Sequence, residues 1–140
     1  MSELDDFLGE MLPRQVAADR SLHQGDAEPR METWSHKDPV TLFGAFGIFK
    51  SGWDEVNKAH RWVASNFSNN EGWNFELVAA GASDDLAYTV GYESHRTSVG
   101  RGPVQPHRLR VTHVYRREDG EWKIVHQHGD ELTEALIPER

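Results

Sequence analysis

The histidines near the C-terminal end are the residues whose spacing points most directly to chemistry. His126, His128 and Asp130 alternate along a predicted strand, so their side chains would point to the same side. Such a string can supply ligands to zinc or a related ion. Proteins that use it need further ligands downstream, and no histidine follows Asp130. Trp122 and Ile124 share this face, which favours interface packing, and the sequence therefore predicts no metal and no cofactor.

Several common kinds of site are excluded by the residues present. The chain has no cysteine, which excludes disulfides, thiolate catalysis and cysteine-ligated metal centres. No serine lies in a G-x-S-x-G turn, and no helix follows the glycines at 100 and 102 to hold a phosphate. Acidic residues outnumber basic ones 23 to 15, for a formal charge of -8. That charge disfavours nucleic acid and anionic membrane surfaces as partners.

The elements that would position a site run from helices to long strands. Residues 2–24 have helical spacing, with Pro13 expected to break or kink the helix or to open a second one. A short helix would follow Asp26, and another would span residues 53–67. Strands are predicted at 74–82, 86–96, 108–117 and 121–128, a strand or irregular strand pair at 40–49, and a short helical turn or disordered tail from 132. This order predicts an α+β fold, with helices on one face of a curved antiparallel sheet.

Strand parity sorts the side chains of the last strands onto two faces. With residues 118–120 as the hairpin loop, Arg117 would oppose Glu121. One face would then carry Val111, His113, Tyr115, Val125, Gln127 and Gly129. The opposite face would carry Val114, Trp122 and Ile124. In the preceding strand, Glu93 would share a face with Gly91 and Thr89.

Three segments carry a resemblance to a known family: HQGDAEPRMETWS at 23–35, the Gly52-Trp53 start of the third helix, and RREDGEWKIVHQH at 116–128. With them the chain resembles the nuclear-transport-factor-2-like superfamily, and within it the SnoaL-like, ketosteroid-isomerase-like group, over about residues 10–130. The resemblance implies a single domain over 1–140. In that domain a cone-shaped curved sheet, a cystatin-like α+β roll, wraps three helices around an apolar pocket. It also implies a homodimer through the outer sheet face, where Trp122, Ile124 and Val114 would otherwise form an exposed apolar patch.

The steroid-isomerase mechanism is not expected. The resemblance puts the isomerase's general base at about Leu42 and its oxyanion tyrosine near Ala18, and neither residue has suitable chemistry. Its oxyanion aspartate matches His113. Two of the three catalytic groups are therefore missing and the third is replaced.

The resemblance places a different polar set in the pocket. His113, Glu93 and His60 are predicted to be catalytic, with substrate-binding walls formed by Tyr115, Gln127, Trp34, Val111, Val125 and Leu42. A carboxylate beside an imidazole would orient the ring and raise its pKa toward neutrality, where proton transfer is most efficient. The alternative is that Glu93 and His113 only satisfy each other as buried polar groups.

Two functions follow from this set. The first is a cofactor-free isomerase, cyclase, dehydratase or hydrolase acting on a small, largely apolar molecule. The second is a non-catalytic ligand-binding or assembly module, as in the kinase association domains that share the fold. The missing acid at position 42 favours the second, and the polar pocket residues favour the first. The acidic start MSELDDFLGEML lacks the pattern of a signal peptide, and the sequence predicts a cytoplasmic protein without membrane partners.

Overall fold

A computed structural model describes residues 2–132 of the chain. Its helices are α1 (Glu3–His23), α2 (Glu28–Thr33) and α3 (Trp53–Asn66). Its strands are β1 (Thr41–Gly44), β2 (Ile48–Ser51), β3 (Phe67–Ser68), β4 (Trp73–Ser83), β5 (Leu86–Val99), β6 (Gln105–Glu118) and β7 (Glu121–Glu131). The predicted order is confirmed, and the strand pair predicted at 40–49 spans residues 41–51. The predicted tail beyond Leu132 lies outside the described residues.

The strands form one strongly curled seven-stranded sheet that wraps around the helices. The strand order is β2-β1-β7-β6-β5-β3, and β4 also pairs with β5. All pairs are antiparallel except β1 with β7. The α+β cone expected from the sequence is therefore confirmed. Among residues 2–132, no helix is long and apolar enough to cross a membrane.

Helix α1 carries the stripe that fills the concave side of the sheet. Its buried residues are Phe7, Met11, Gln15, Ala18, Asp19, Leu22 and His23. Their spacing of three or four keeps them on one helical face. The first part of the stripe is apolar, and Phe7 packs edge-on against Tyr115 and Trp122, with ring centroids 4.8 and 5.0 Å apart. The second part is polar, so the same helix supplies both core and site. Pro13 lies inside this single helix, so two of the three alternatives for it, a break and the start of a second helix, are wrong.

The hairpin between β6 and β7 differs from the predicted register by one residue. Glu118 opposes Glu121, so the loop is the two-residue Asp119-Gly120. Both loop residues have positive φ, 52° and 80°, as a tight hairpin turn requires. A bulge after Ile124 then shifts the register by one further residue, and His113 pairs with Gln127 instead of the predicted Val125.

This register changes the face on which the β7 aromatic and aliphatic residues lie. Trp122 and Ile124 are buried in the core beside Tyr115, whereas parity had placed them on the outer face. The bulged Val125 is half-buried and packs against the same core. The predicted apolar patch of Trp122, Ile124 and Val114 is therefore wrong. The homodimer through the outer sheet face stays a prediction, but Trp122 and Ile124 do not support it.

The close approach of β4 to β5 requires glycine at position 91. A Cβ added to Gly91 would lie 2.4 Å from the Glu76 carbonyl oxygen and 2.6 Å from the Phe75 ring. We expect Gly91→Ala to lower the free energy of unfolding in urea by about 1–3 kcal/mol through overpacking. Gly9 in α1 has nothing within 4 Å of an added Cβ. Gly9→Ala should therefore be neutral or stabilise by about 0.5–1 kcal/mol, and equal losses in both variants would contradict this account.

Candidate functional site

A buried ion pair joins the first two helices inside the cone. Arg30 NH1 lies 3.0 Å from Asp19 Oδ1, and both side chains are at most 3% exposed. Arg30 NH2 also donates to the Gln127 side-chain oxygen on β7. Burial raises the pKa of Asp19 to about 7, against the opposing effect of the Arg30 charge. The pair therefore depends on Arg30 to keep a carboxylate in a dry interior.

His113 belongs to a chain of hydrogen bonds that meets this ion pair at Gln127. Its Nδ1 accepts from the Gln15 amide at 3.3 Å, and its Nε2 donates to Gln127 Oε1 at 3.0 Å. Gln15 in turn accepts from the Tyr115 hydroxyl, which lies 3.0 Å from the Thr89 hydroxyl. Burial lowers the pKa of His113 to about 3. The ring is therefore neutral, and both of its nitrogens are already used.

Glu93 lies at the other end of the polar interior, between strand β4 and helix α1. Its Oε1 accepts from Trp73 Nε1 at 3.0 Å and lies 4.0 Å from His23 Nε2. His23 Nδ1 is 2.7 Å from the Asp19 carbonyl oxygen, one helical turn earlier. Burial raises the pKa of Glu93 and lowers that of His23 to about 4. Burial also lowers the pKa of the neighbouring His95 to about 3.

A cavity with both apolar and polar lining opens beside Glu93, and the clustered side chains of His23, Glu93 and His95 form its polar end. Its polar lining is His23, Arg30, His60, Glu93, His95, His107 and Gln127. Its apolar lining includes Leu22, Leu42, Phe46, Ile48, Val63, Phe67 and Leu109. The space open to the centres of water molecules is about 60 Å³. One water needs about 10–15 Å³ by this measure, so the cavity has room for about five waters or a very small ligand.

The structure divides the nine predicted site residues into two groups. Leu42, His60, Glu93 and Gln127 line the cavity. His113, Tyr115, Trp34, Val111 and Val125 are not part of its lining.

The predicted acid–base partners are not brought together. His113 pairs with Thr89 and Glu93 with Leu109, four residues along the same strands. At about 3.3 Å per residue, the backbone positions of His113 and Glu93 are therefore about 13 Å apart along the strands. The imidazole that lies beside Glu93 is instead that of His23.

His60 lies on the opposite wall, on α3. Its ring meets Trp34 edge-on with centroids 4.9 Å apart, and its buried Nε2 has no hydrogen-bond partner among residues 2–132. Burial lowers the pKa of His60 well below its usual value, and the Arg30 charge acts in the same direction. His60 is therefore a neutral residue of the cavity wall, and its Nε2 atom has no hydrogen-bond partner among the described residues.

Six polar residues of the site escape the sequence analysis: Gln15, Asp19, His23, Arg30, His95 and His107. Parity could have found His95, because it lies two residues after Glu93 on the same face of β5. The spacing of Asp19 and His23 places both on the buried stripe of α1. No local pattern marks Arg30, because an arginine on a six-residue helix usually faces solvent.

The curled sheet around helices, with a polar-ended cavity inside it, defines a nuclear-transport-factor-2-like protein. The SnoaL-like domain family matches residues 17–130, and the chain belongs to this family. No curated protein matches the chain.

Solved structures similar to the chain share the fold at low sequence identity. One is a ketosteroid isomerase-like protein from Erwinia carotovora atroseptica, with 15% identity, TM-score 0.76, and coverage of 91% of this chain and 98% of that one. A putative dehydratase of the NTF2-like family from Streptomyces avermitilis has 20% identity, TM-score 0.74, and coverage of 91% and 97%. A putative calcium/calmodulin-dependent kinase II association domain from Exiguobacterium sibiricum has 14% identity, TM-score 0.73, and coverage of 96% and 98%.

Proposed function

We propose that the chain is an enzyme that binds a small organic molecule in this cavity and transforms it by proton transfer at the Glu93 end. The observation that carries the proposal is the placement of one buried carboxylate, that of Glu93, at the polar end of a cavity that also has many apolar wall residues. Apolar walls would hold the carbon skeleton of a substrate, while a few convergent polar groups would orient its reacting part.

The neighbours of Glu93 suit a proton-transfer step. The Trp73 indole donates to the carboxylate and orients it, and the carboxylate can accept a proton from carbon or from water. Arg30 lines the same cavity, and its charge would stabilise an oxyanion that develops on the substrate. An isomerase, cyclase, dehydratase or hydrolase can use this arrangement. The fold shared with the putative dehydratase of Streptomyces avermitilis is in line with this range.

A second candidate is a non-catalytic ligand-binding or assembly module of the same fold. The small volume of the cavity favours it, because a molecule larger than a few waters would have to displace a wall residue such as the half-exposed Phe46. The shared fold of the kinase association domain from Exiguobacterium sibiricum is in line with this alternative.

The two candidates differ in what the loss of the Glu93 charge should do. Native mass spectrometry of untagged protein would identify a co-purified small molecule to use as the probe. With it, we expect Glu93→Gln to lower turnover by about 10²–10⁴-fold, the usual loss for an acid–base group. Glu76→Gln, which removes an exposed carboxylate from the neighbouring strand β4, should leave turnover unchanged. A probe that binds both proteins and is never turned over would favour the module.

A further inference from the structure

Three buried side chains converge at the polar end of the cavity in a pattern typical of metal ligands. They are His23 at the end of α1, and Glu93 and His95 on the inner face of β5. Their ligand atoms all lie within 4.8 Å of one another. Bonds of about 2.0–2.2 Å to a shared ion would bring such atoms to about 3–3.5 Å apart, so a closure of about 1 Å would complete the site.

The orientation of His23 leaves a lone pair that faces a carboxylate. Its Nδ1 donates to the Asp19 carbonyl oxygen at 2.7 Å, so Nε2 of the neutral ring carries no proton. Nε2 lies 4.0 Å from Glu93 Oε1, which is too long for a hydrogen bond. A cation between them would relieve the repulsion of two acceptors. Backbone-anchored imidazoles and hydrogen-bonded carboxylates, here held by Trp73, are the usual outer contacts of metal ligands.

His95 supplies a second, independent observation. Its side chain is only 5% exposed, and neither ring nitrogen has a hydrogen-bond partner among the described residues. A buried imidazole with both nitrogens unpaired is rare and calls for an unseen partner. His95 lines the cavity, and one of its ring nitrogens lies within 4.8 Å of the ligand atoms of His23 and Glu93.

We propose that His23, Glu93 and His95 bind one divalent first-row transition-metal ion, with open coordination positions toward the cavity. Two imidazoles and one carboxylate form a ligand set for zinc, iron or similar ions, and a poor one for magnesium or calcium. The Arg30 charge is paired with Asp19, and Glu93 would bind the ion as a carboxylate that supplies one negative charge. This proposal rests on the proposed function because it concerns the same site. It assigns the polar end of the cavity to a metal ion and makes Glu93 one of its ligands. It revises the expectation of no metal from the sequence.

The histidines singled out in the sequence provide the matched control. His126 and His128 lie on the outer sheet face, with ring centroids 6.5 Å apart, and the Nδ1 of His126 is 2.7 Å from the Thr41 hydroxyl. Asp130 accepts two hydrogen bonds from Arg110, at 3.0 and 2.6 Å. Its carboxylate is therefore already engaged, and His128 is an exposed imidazole outside the proposed site.

The test is Zn²⁺ binding by untagged full-length protein that has been stripped with a chelator. We expect one Zn²⁺ per chain by elemental analysis and calorimetry. His95→Gln and Glu93→Gln should each weaken binding by at least about 10–100-fold, the loss seen even for groups that only orient a ligand. His128→Gln should bind as the wild type does. No retained Zn²⁺, or an equal loss in His128→Gln, would overturn the proposal.

Imidazole NMR of the wild type tests the same site without relying on a folded variant. Added Zn²⁺ should shift the ring nitrogens of His23 and His95 and leave those of His113 unchanged; shifts confined to His126 and His128 would overturn the site. Failure of the proposed function would look different. If Zn²⁺ binds as expected but no small molecule is turned over, the enzyme proposal fails and the metal site stands. If the protein binds no Zn²⁺ but turnover depends on Glu93, the metal proposal fails and the enzyme stands.

Discussion

Arg30→Met should lower the free energy of unfolding by about 3–5 kcal/mol, the loss typical when one partner of a buried ion pair is removed. Asp19 would keep a buried charge or take up a proton, and Gln127 would lose a donor. Methionine preserves most of the length and apolar body of the side chain, so the loss would report on charge and hydrogen bonding. Urea unfolding followed by circular dichroism measures it.

The matched control is the same substitution at an exposed ion pair. Arg14 lies 3.6 Å from Glu121, with side chains that are 34% and 52% exposed. Arg14→Met should change stability by less than about 1 kcal/mol, as is usual for surface pairs. Asp19→Asn combined with Arg30→Met should recover part of the loss, because it removes the orphaned carboxylate. Equal effects of Arg30→Met and Arg14→Met would show that the interior pair does not stabilise the fold.

The second large effect is a loss of stability in acid that comes from His113. Its pKa is lowered by burial to about 3, from an ordinary value of 6.5. Between these values the unfolded chain binds a proton that the folded protein does not, so this contribution is complete above pH 6.5 and is lost as the pH falls toward 3. One proton corresponds to a slope of about 1.4 kcal/mol per pH unit. His113→Gln should reduce the slope of unfolding free energy between pH 4 and 6 by about this amount.

The difference between wild type and variant isolates His113 from other groups. Asp19, with its pKa raised to about 7, acts in the opposite direction between pH 4 and 7, and it contributes to both curves. Gly91→Ala is the control for destabilisation without loss of a titrating group, and its slope should match the wild type. In wild-type NMR spectra the His113 ring should stay neutral, with its proton on Nε2, down to about pH 5. A ring that titrates near 6.5 would contradict the buried hydrogen-bonded chain.

The homodimer and the catalytic roles of His113, Glu93 and His60 stay predictions. The geometry nevertheless indicates which of these side chains is available to a bound molecule. His113 has both nitrogens occupied by Gln15 and Gln127, so it is suited to hold the interior together. Glu93 and His60 line the cavity and remain available to a bound molecule.

The sequence by itself determined the elements, their order and much of the inner face of the sheet. Period-two alternation in β5 keeps Thr89, Gly91 and Glu93 on one face, because successive side chains of a strand point to opposite sides, and the family resemblance predicted that this face is the inner one. The turn residues Asp119 and Gly120 likewise locate the β6–β7 hairpin within one residue. These signals are local, and a local pattern can be read from a single chain.

Only the tertiary structure decided which polar groups meet. One extra residue at the β7 bulge returned Gln127 to the side of His113, while Trp122 and Ile124 turned into the core. The docking of α1 and α2 against the sheet brought His23 to Glu93, and Arg30 to Asp19 and Gln127, across separations of 11 to 97 residues. Such contacts depend on register and helix placement summed over the whole core. Because a slip of one residue reverses a side chain's face, no local pattern determines them.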